Sequence, residues 1–137
     1  MSEIVKCRII NLPSLGEEGI GFISVVESLK MIPFNIQRVY WIYQCPPDIA
    51  RGQHAHIKLQ QIIIAISGKI KLKCEYLDGS IEEFVLEHPS KGLYVPQNVW
   101  RYITFSENAV LLCAASEKYD EKDYIRNYDD FLKLRDK

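Results

Sequence analysis

The chain has 137 residues, 47% hydrophobic and 26% charged, with a formal net charge of -1. That length suits one domain over residues 1–137 with a real core, and the composition excludes disordered and fibrous classes. No basic run offers a footprint for nucleic acid, no segment approaches the roughly 18 apolar residues of a membrane span, and MSEIVKCRII lacks the features of a secretory signal, so a cytoplasmic location is expected.

In chain order, VKCRIINL (5–12), GFISVVES (21–28), RVYWIYQC (38–45), HIKLQQIIIAI (56–66) and KIKLKCEY (69–76) read as strands. EEFVLE (82–87), GLYVP (92–96), RYITFS (101–106) and AVLLCAAS (109–116) follow. All are short and rich in Val, Ile, Tyr and Phe. Ser67-Gly68 and Asp78-Gly79 predict tight hairpins, and Pro46-Pro47 and His88-Pro89 predict loops. In EKDYIRNYDDFLKLRDK, Tyr124, Ile125, Tyr128, Phe131, Leu132 and Leu134 recur at near-helical spacing, which predicts a short C-terminal helix packed on the sheet or on a partner. The fold class is all-β, a sandwich or barrel for which a β-jelly roll is the natural candidate. Cys7, Cys45, Cys74 and Cys113 form no C-x-x-C pair and are expected as free thiols, Cys113 buried.

Two of the three histidines, His54 and His56, stand one residue apart in RGQHAHIKLQQ. Alternation along a strand points both side chains the same way, their Cα atoms about 6.6 Å apart. Arg51-Gly52 reads as the chain turning into the strand, with the apolar run after the pair continuing inside a barrel. Such a pair is half of a metal site, a proton-transfer device, or two unrelated loop histidines. H-x-H alone does not decide, but its position before an apolar run is where a concave site on a barrel is lined.

HAHIKLQQIIIAISG followed by KGLYVPQNVWR resembles the two sequence motifs of the cupins. Those motifs bring two histidines and a glutamate, then a third histidine, to a metal. Here Gln61, preceded by Gln60, stands in the glutamate's place, and Val99, Trp100 and Arg101 stand where the last histidine falls. Catalytic zinc and iron sites use at least three protein ligands, and Arg101 near the pair would repel a cation. The residues therefore favour a site without metal. With an unperturbed pKa near 6.5, imidazole suits isomerisation through an enediol.

A closer likeness runs over roughly residues 5–134. RVYWIYQCPPDIARGQHAH, KLQQIIIAISG, HPSKGLYVPQNVWR and ASEKYDEKDYIRNYDDFL together resemble the nucleotide-sugar 3,4-ketoisomerases that act on dTDP-4-keto-6-deoxyglucose. The resemblance implies a cupin-type jelly roll, a homodimer that exchanges N-terminal strands, and no cofactor. It implies as substrate a dTDP-linked 4-keto-6-deoxyhexose, whose keto group moves from C4 to C3, supplying a 3-keto sugar for 3-amino-3,6-dideoxyhexose synthesis. Carried onto this chain, it makes His54 and His56 the catalytic pair; the sequence does not decide which takes the carbon-bound proton, and His54 is the expected one. It also matches Tyr43, expected near the hexose and counted with the catalytic residues, and Arg51, expected to bind substrate; Arg101 and Gln61 are further expected substrate-binding residues. In the alternative strand register Tyr40 and Arg38 face the ligand instead of Tyr43, which then shares a packing face with Val39 and Trp41.

Taken singly, Arg51 reads as a solvated loop residue and Arg101 as an exposed strand residue, though a guanidinium fork suits a diphosphate. His88 is assigned no role. DYIRNYD reads as a structural signature, with Asp123, Arg126 and Asp129 pairing on a helix surface. The alternatives carried forward are a nucleotide-sugar epimerase, a non-catalytic sugar-binding cupin and a two-histidine metal dioxygenase.

Overall fold

The computed structural model describes residues 4–136. The strands are β1 (Arg8–Asn11), β2 (Leu15–Glu17), β3 (Gly21–Ile23), β4 (Arg38–Ile42), β5 (Arg51–His56) and β6 (Gln61–Ser67). They continue as β7 (Ile70–Glu75), β8 (Ile81–Leu86), β9 (Lys91–Val95), β10 (Trp100–Phe105), β11 (Val110–Ala115) and β12 (Tyr124–Ile125), and among the described residues the one α-helix is α1 (Tyr128–Lys133).

Two five-stranded sheets, in the orders β1-β9-β6-β11-β4 and β12-β5-β10-β7-β8, stack face to face, and β2 and β3 form a separate hairpin. All pairings are antiparallel, which gives the all-β sandwich expected of a cupin-type jelly roll. The inner faces meet through Ile63, Ala65, Leu93 and Leu111 on one side and Ile70, Leu72, Ile103 and Phe105 on the other, all buried. In β7 this yields simple alternation, with Ile70, Leu72 and Cys74 buried and Lys71 and Lys73 exposed.

β6 departs from alternation because its outer face is covered as well. Leu12, Ile32 and Phe34 pack on Ile62, Ile64 and Tyr94, so the continuous apolar run of this strand serves two clusters. A third cluster lies outside the second sheet, where Phe131 of α1 packs against Trp100, Ala55 and Ile125; the Trp100 and Phe131 ring centroids are 5.7 Å apart.

Several expectations need correction. HIKLQQIIIAI is not one strand, because a turn between β5 and β6 interrupts it; the histidine pair closes β5 rather than opening the apolar run. Ser67-Gly68 is no hairpin between paired strands, since β6 pairs with β9 and β11 while β7 pairs with β10 and β8. The chain there crosses from one sheet to the other, and a turn signal marks a reversal without saying which strand receives it. Asp78-Gly79 does join paired strands: Gly79 has φ 87° and the Asp78 carboxylate accepts from the Ser80 N–H at 2.9 Å.

The segment 21–28 is a strand over Gly21–Ile23 alone. The C-terminal helix is shorter than its periodicity suggests, because Asn127 caps it, accepting from Asp130 N–H at 3.1 Å. Residues Tyr124–Ile125 therefore stay extended and pair with β5. All four cysteines are buried free thiols. Among the described residues, no helix is long and apolar enough to cross a membrane.

Candidate active site

The site grows from an irregularity in β5. Arg101 of β10 pairs with His54, yet Ile103, two residues on, pairs with Arg51, three residues back. One extra residue is thus inserted into β5, and Gly52 absorbs it with φ 73°. In an unbroken strand Arg51 would face away from His54. The bulge turns Arg51 onto the same wall as His54, Arg101 and Ile103, and all four line a cavity of about 280 Å³. Space is tight, since a Cβ on residue 52 would lie 3.1 Å from the Ile103 methyl.

His54 and His56 share a face, and their Nε2 atoms stand 3.1 Å apart, within hydrogen-bond distance. The rings are nearly perpendicular, at 87° with centroids 4.7 Å apart. Tyr124 of β12, opposite His56 in the ladder, lies against both, its centroid 4.4 Å from that of His56 and 5.1 Å from that of His54. Arg126, also on the cavity lining, stacks on Tyr124 with Cζ 4.2 Å from the ring centre, and its guanidinium forks onto Glu121 at 2.7 and 2.9 Å. On the far side of His56, the Asp123 carboxylate approaches Nδ1 to 3.3 Å.

Opposite the histidines stands a polar chain. Arg101 is only 1% exposed; it donates to the Gln61 Oε1 in a close contact and to the Val99 carbonyl at 3.2 Å. The Gln61 amide then donates to the Tyr40 hydroxyl at 2.8 Å and to the Cys113 sulfur at 3.2 Å. The Tyr40 hydroxyl also lies within hydrogen-bonding reach of the Cys113 sulfur. Arg38 stacks on the Tyr40 ring at 5.2 Å. Buried N–H groups on both Arg101 and Arg38 lack a partner among the described residues, and unsatisfied buried donors beside a cavity mark a place for an acceptor-rich ligand.

This cationic, buried setting decides protonation. Burial, reinforced by the Arg101 charge, lowers the pKa of His54 to about 3 and that of His56 to about 2. Both rings are therefore neutral at physiological pH. Burial also raises the Tyr40 phenol, keeping it protonated, and pushes the Cys113 thiol up to about 11. Among the described residues, no cluster of three or more His, Cys, Asp or Glu side chains is arranged to hold a metal ion.

Residues 5–136 match a family model described as FdtA: WxcM-like, C-terminal. A TDP-4-oxo-6-deoxy-alpha-D-glucose-3,4-oxoisomerase of Aneurinibacillus thermoaerophilus is 42% identical over 115 residues, 82% of this chain and 81% of that protein. The chain belongs to this sugar 3,4-ketoisomerase family. Another 3,4-ketoisomerase, QdtA from Thermoanaerobacterium thermosaccharolyticum in complex with TDP, superposes with a TM-score of 0.90 at 39% identity, covering 96% of this chain and 95% of that one. A histidine-to-asparagine variant of QdtA in complex with TDP-4-keto-6-deoxyglucose gives a TM-score of 0.89 at 38% identity, covering 95% and 94%.

Against the sequence reading of this family member, His54, Arg51, Arg101, Tyr40 and Arg38 line one cavity, while His56 and Gln61 lie behind it as partners of His54 and Tyr40. Tyr43 is a correction. It lies beyond the end of β4 and is 58% exposed, on the outward face with Val39 and Trp41. The other register holds, because pairing with β11 sets Arg38, Tyr40 and Ile42 toward the cavity.

A second correction concerns DYIRNYD. Its first half is a wall of the site rather than a helix surface, and Arg126 pairs with Glu121 instead of with Asp123 or Asp129. The signal that would have revealed this is the pair of capping residues. Asp120 caps a 3-10 turn over Glu121–Asp123 and Asn127 caps α1, which leaves no helix between them.

Proposed function

We propose that the chain is a metal-independent TDP-sugar 3,4-ketoisomerase that moves the keto group of a TDP-linked 4-keto-6-deoxyhexose from C4 to C3. The observation that carries this reading is the pair of neutral imidazoles joined Nε2 to Nε2 at 3.1 Å, one of them on the wall of a cavity lined by arginines. A neutral imidazole has a lone pair free to accept a proton, and coupling two of them lets a proton move without leaving the site.

In the mechanism this supports, the pair acting through His54 removes the proton from C3, next to the C4 ketone, giving an enediolate. Return of the proton to C4 and transfer of the hydroxyl proton from O3 to O4 complete the isomerisation with no net change in protons. The Tyr40 hydroxyl, on the cavity wall and accepting from Gln61, would donate to the developing oxyanion. Arg101 supplies positive charge in a buried setting, where such charge stabilises an enediolate strongly. Arg51 and Arg38 suit the diphosphate, as forked donors facing a concave surface.

The reading extends to a homodimer with exchanged N-terminal strands. Leu15, Phe22 and Ile23 of the β2-β3 hairpin are 59%, 60% and 65% exposed, and β2 and β3 pair with each other alone. An isolated two-stranded hairpin is marginal in water. The outward face of β4 presents Val39 and Trp41 at 50% and 60% exposure, and an apolar groove of about 590 Å³ runs between this face and the hairpin. A second copy would cover both. Four free thiols are consistent with action in the reducing cytoplasm.

The test is proton NMR of the purified protein with TDP-4-keto-6-deoxyglucose in deuterated water, alongside His54→Asn. A 3-keto product that the variant fails to form supports the reading. Unchanged substrate, or deuterium entering at C3 while the ketone stays at C4, overturns it, and the latter would indicate an epimerase.

A further inference from the structure

Asp123 belongs to a motif that reads in sequence as structural, yet it is the one carboxylate in ion-pair range of the histidine pair among the described residues. It is 8% exposed and held from two sides. One carboxylate oxygen accepts from Lys58 N–H at 2.7 Å and the other from Leu59 N–H at 3.2 Å. Its own carbonyl accepts from Ile57 N–H at 3.0 Å, tying the residue to the end of β5. The second carboxylate oxygen also stands 3.3 Å from Nδ1 of His56, a buried nitrogen that has no aligned hydrogen-bond partner among the described residues, so Asp123 acts on it as the one nearby acceptor and negative charge.

A carboxylate only accepts hydrogen bonds, and a neutral imidazole carries one proton. If the His56 proton sits on Nδ1 toward Asp123, its Nε2 holds a lone pair. The 3.1 Å contact between the two Nε2 atoms then requires His54 to donate through Nε2. That leaves Nδ1 of His54 unprotonated, and no protein donor to this atom is found among the described residues.

We propose that Asp123 is a positioning residue that fixes the tautomers of the pair, with His56 protonated at Nδ1 and His54 at Nε2, so that the basic lone pair lies on Nδ1 of His54. This deepens the ketoisomerase reading and rests on it for its catalytic consequence. When Nδ1 of His54 takes the C3 proton, the Nε2 proton of His54 passes to Nε2 of His56. The resulting imidazolium then lies beside the Asp123 carboxylate rather than beside Arg101 alone. The same steps in reverse return one proton to C4, and no group is left changed.

Two measurements test it. Long-range nitrogen-15 correlation spectra of the wild-type protein without substrate report each ring's tautomer. The expected result is protonated Nδ1 on His56 and protonated Nε2 on His54. The second measurement is Asp123→Asn, which keeps an oxygen for the Lys58 amide but offers His56 a donor in the other rotamer. It should invert the His56 tautomer and lower kcat by about a hundredfold or more while KM stays within a few-fold, the pattern of a disturbed tautomer.

A wild-type spectrum with His56 protonated at Nε2 overturns the proposal even if the variant does not fold. So does a folded variant with unchanged kcat. If the expected tautomers are found in a protein that never converts TDP-4-keto-6-deoxyglucose, the tautomer assignment stands and the ketoisomerase function falls.

Discussion

Arg101 is the residue on which the chemistry of this fold turns. A guanidinium is costly to bury unless its charge is compensated, yet this one is bonded to a neutral amide and a carbonyl. Its uncompensated charge helps to keep both histidines basic in name but neutral in fact. That arrangement has a signature in stability. The folded-state pKa of His56 lies near 2 against an ordinary 6.5, so below pH 6.5 the unfolded chain binds a proton that the folded chain refuses. The contribution is complete above pH 6.5 and is lost as pH falls toward the folded value. The slope approaches ~1.4 kcal/mol per pH unit for one such group. Denaturant unfolding between pH 7.5 and 5 should therefore show a shallower fall in stability for His56→Asn than for wild type. Parallel curves would mean that His56 is not held neutral.

At the scale of the element, the bulge in β5 does what alternation forbids. The shared face of His54 and His56 follows from their spacing and was legible in the sequence. Arg51, an odd number of residues away, reaches the same wall only because Gly52 takes a left-handed conformation. Gly52→Ala should therefore cost about 1–2 kcal/mol from backbone conformation alone, with an added contribution from crowding Ile103. It should also raise KM more than it lowers kcat, because Arg51 would be displaced while the histidines keep their ladder. Steady-state kinetics beside thermal unfolding check this, and an unchanged KM would show that Arg51 does not hold substrate.

The same reasoning explains why β12 was illegible. Apolar spacing alone could not distinguish a helix over residues 124–134 from a two-residue strand followed by a shorter helix. The cap at Asn127, which decides the matter, is a polar detail that periodicity ignores. Tyr43 was misplaced for a related reason. RVYWIYQC is apolar on both faces, so the sequence leaves its register open, and pairing with β11 closes it.

For the molecule as a whole, the sandwich was legible because most strands need only burial and turns to specify them, whereas the partner of each strand was not. The crossing after β6 looks in sequence like any other hairpin. The proposed dimer is likewise written in exposed rather than buried residues, and exposure cannot be read from a strand without its partners. Sedimentation should find twice the chain mass for wild type. Trp41→Glu, which places a charge on the outward face of β4, should shift the equilibrium toward monomer by at least tenfold in Kd, as expected when an aromatic anchor at an interface is lost. A monomeric wild type would remove the basis for strand exchange.

The wall made by Asp123, Tyr124 and Arg126 has one more consequence, in the order of synthesis. The histidines at 54 and 56 leave the ribosome early, but β5 has no ladder partner until β10 is made, and its other partner, β12, comes from the last segment of the chain. Until the last segment arrives, His56 has no carboxylate beside it and neither ring has an aromatic cover. The scaffold is thus complete before the chemistry is, and a chain interrupted after β11 would keep most of both sheets while lacking one side of the cavity.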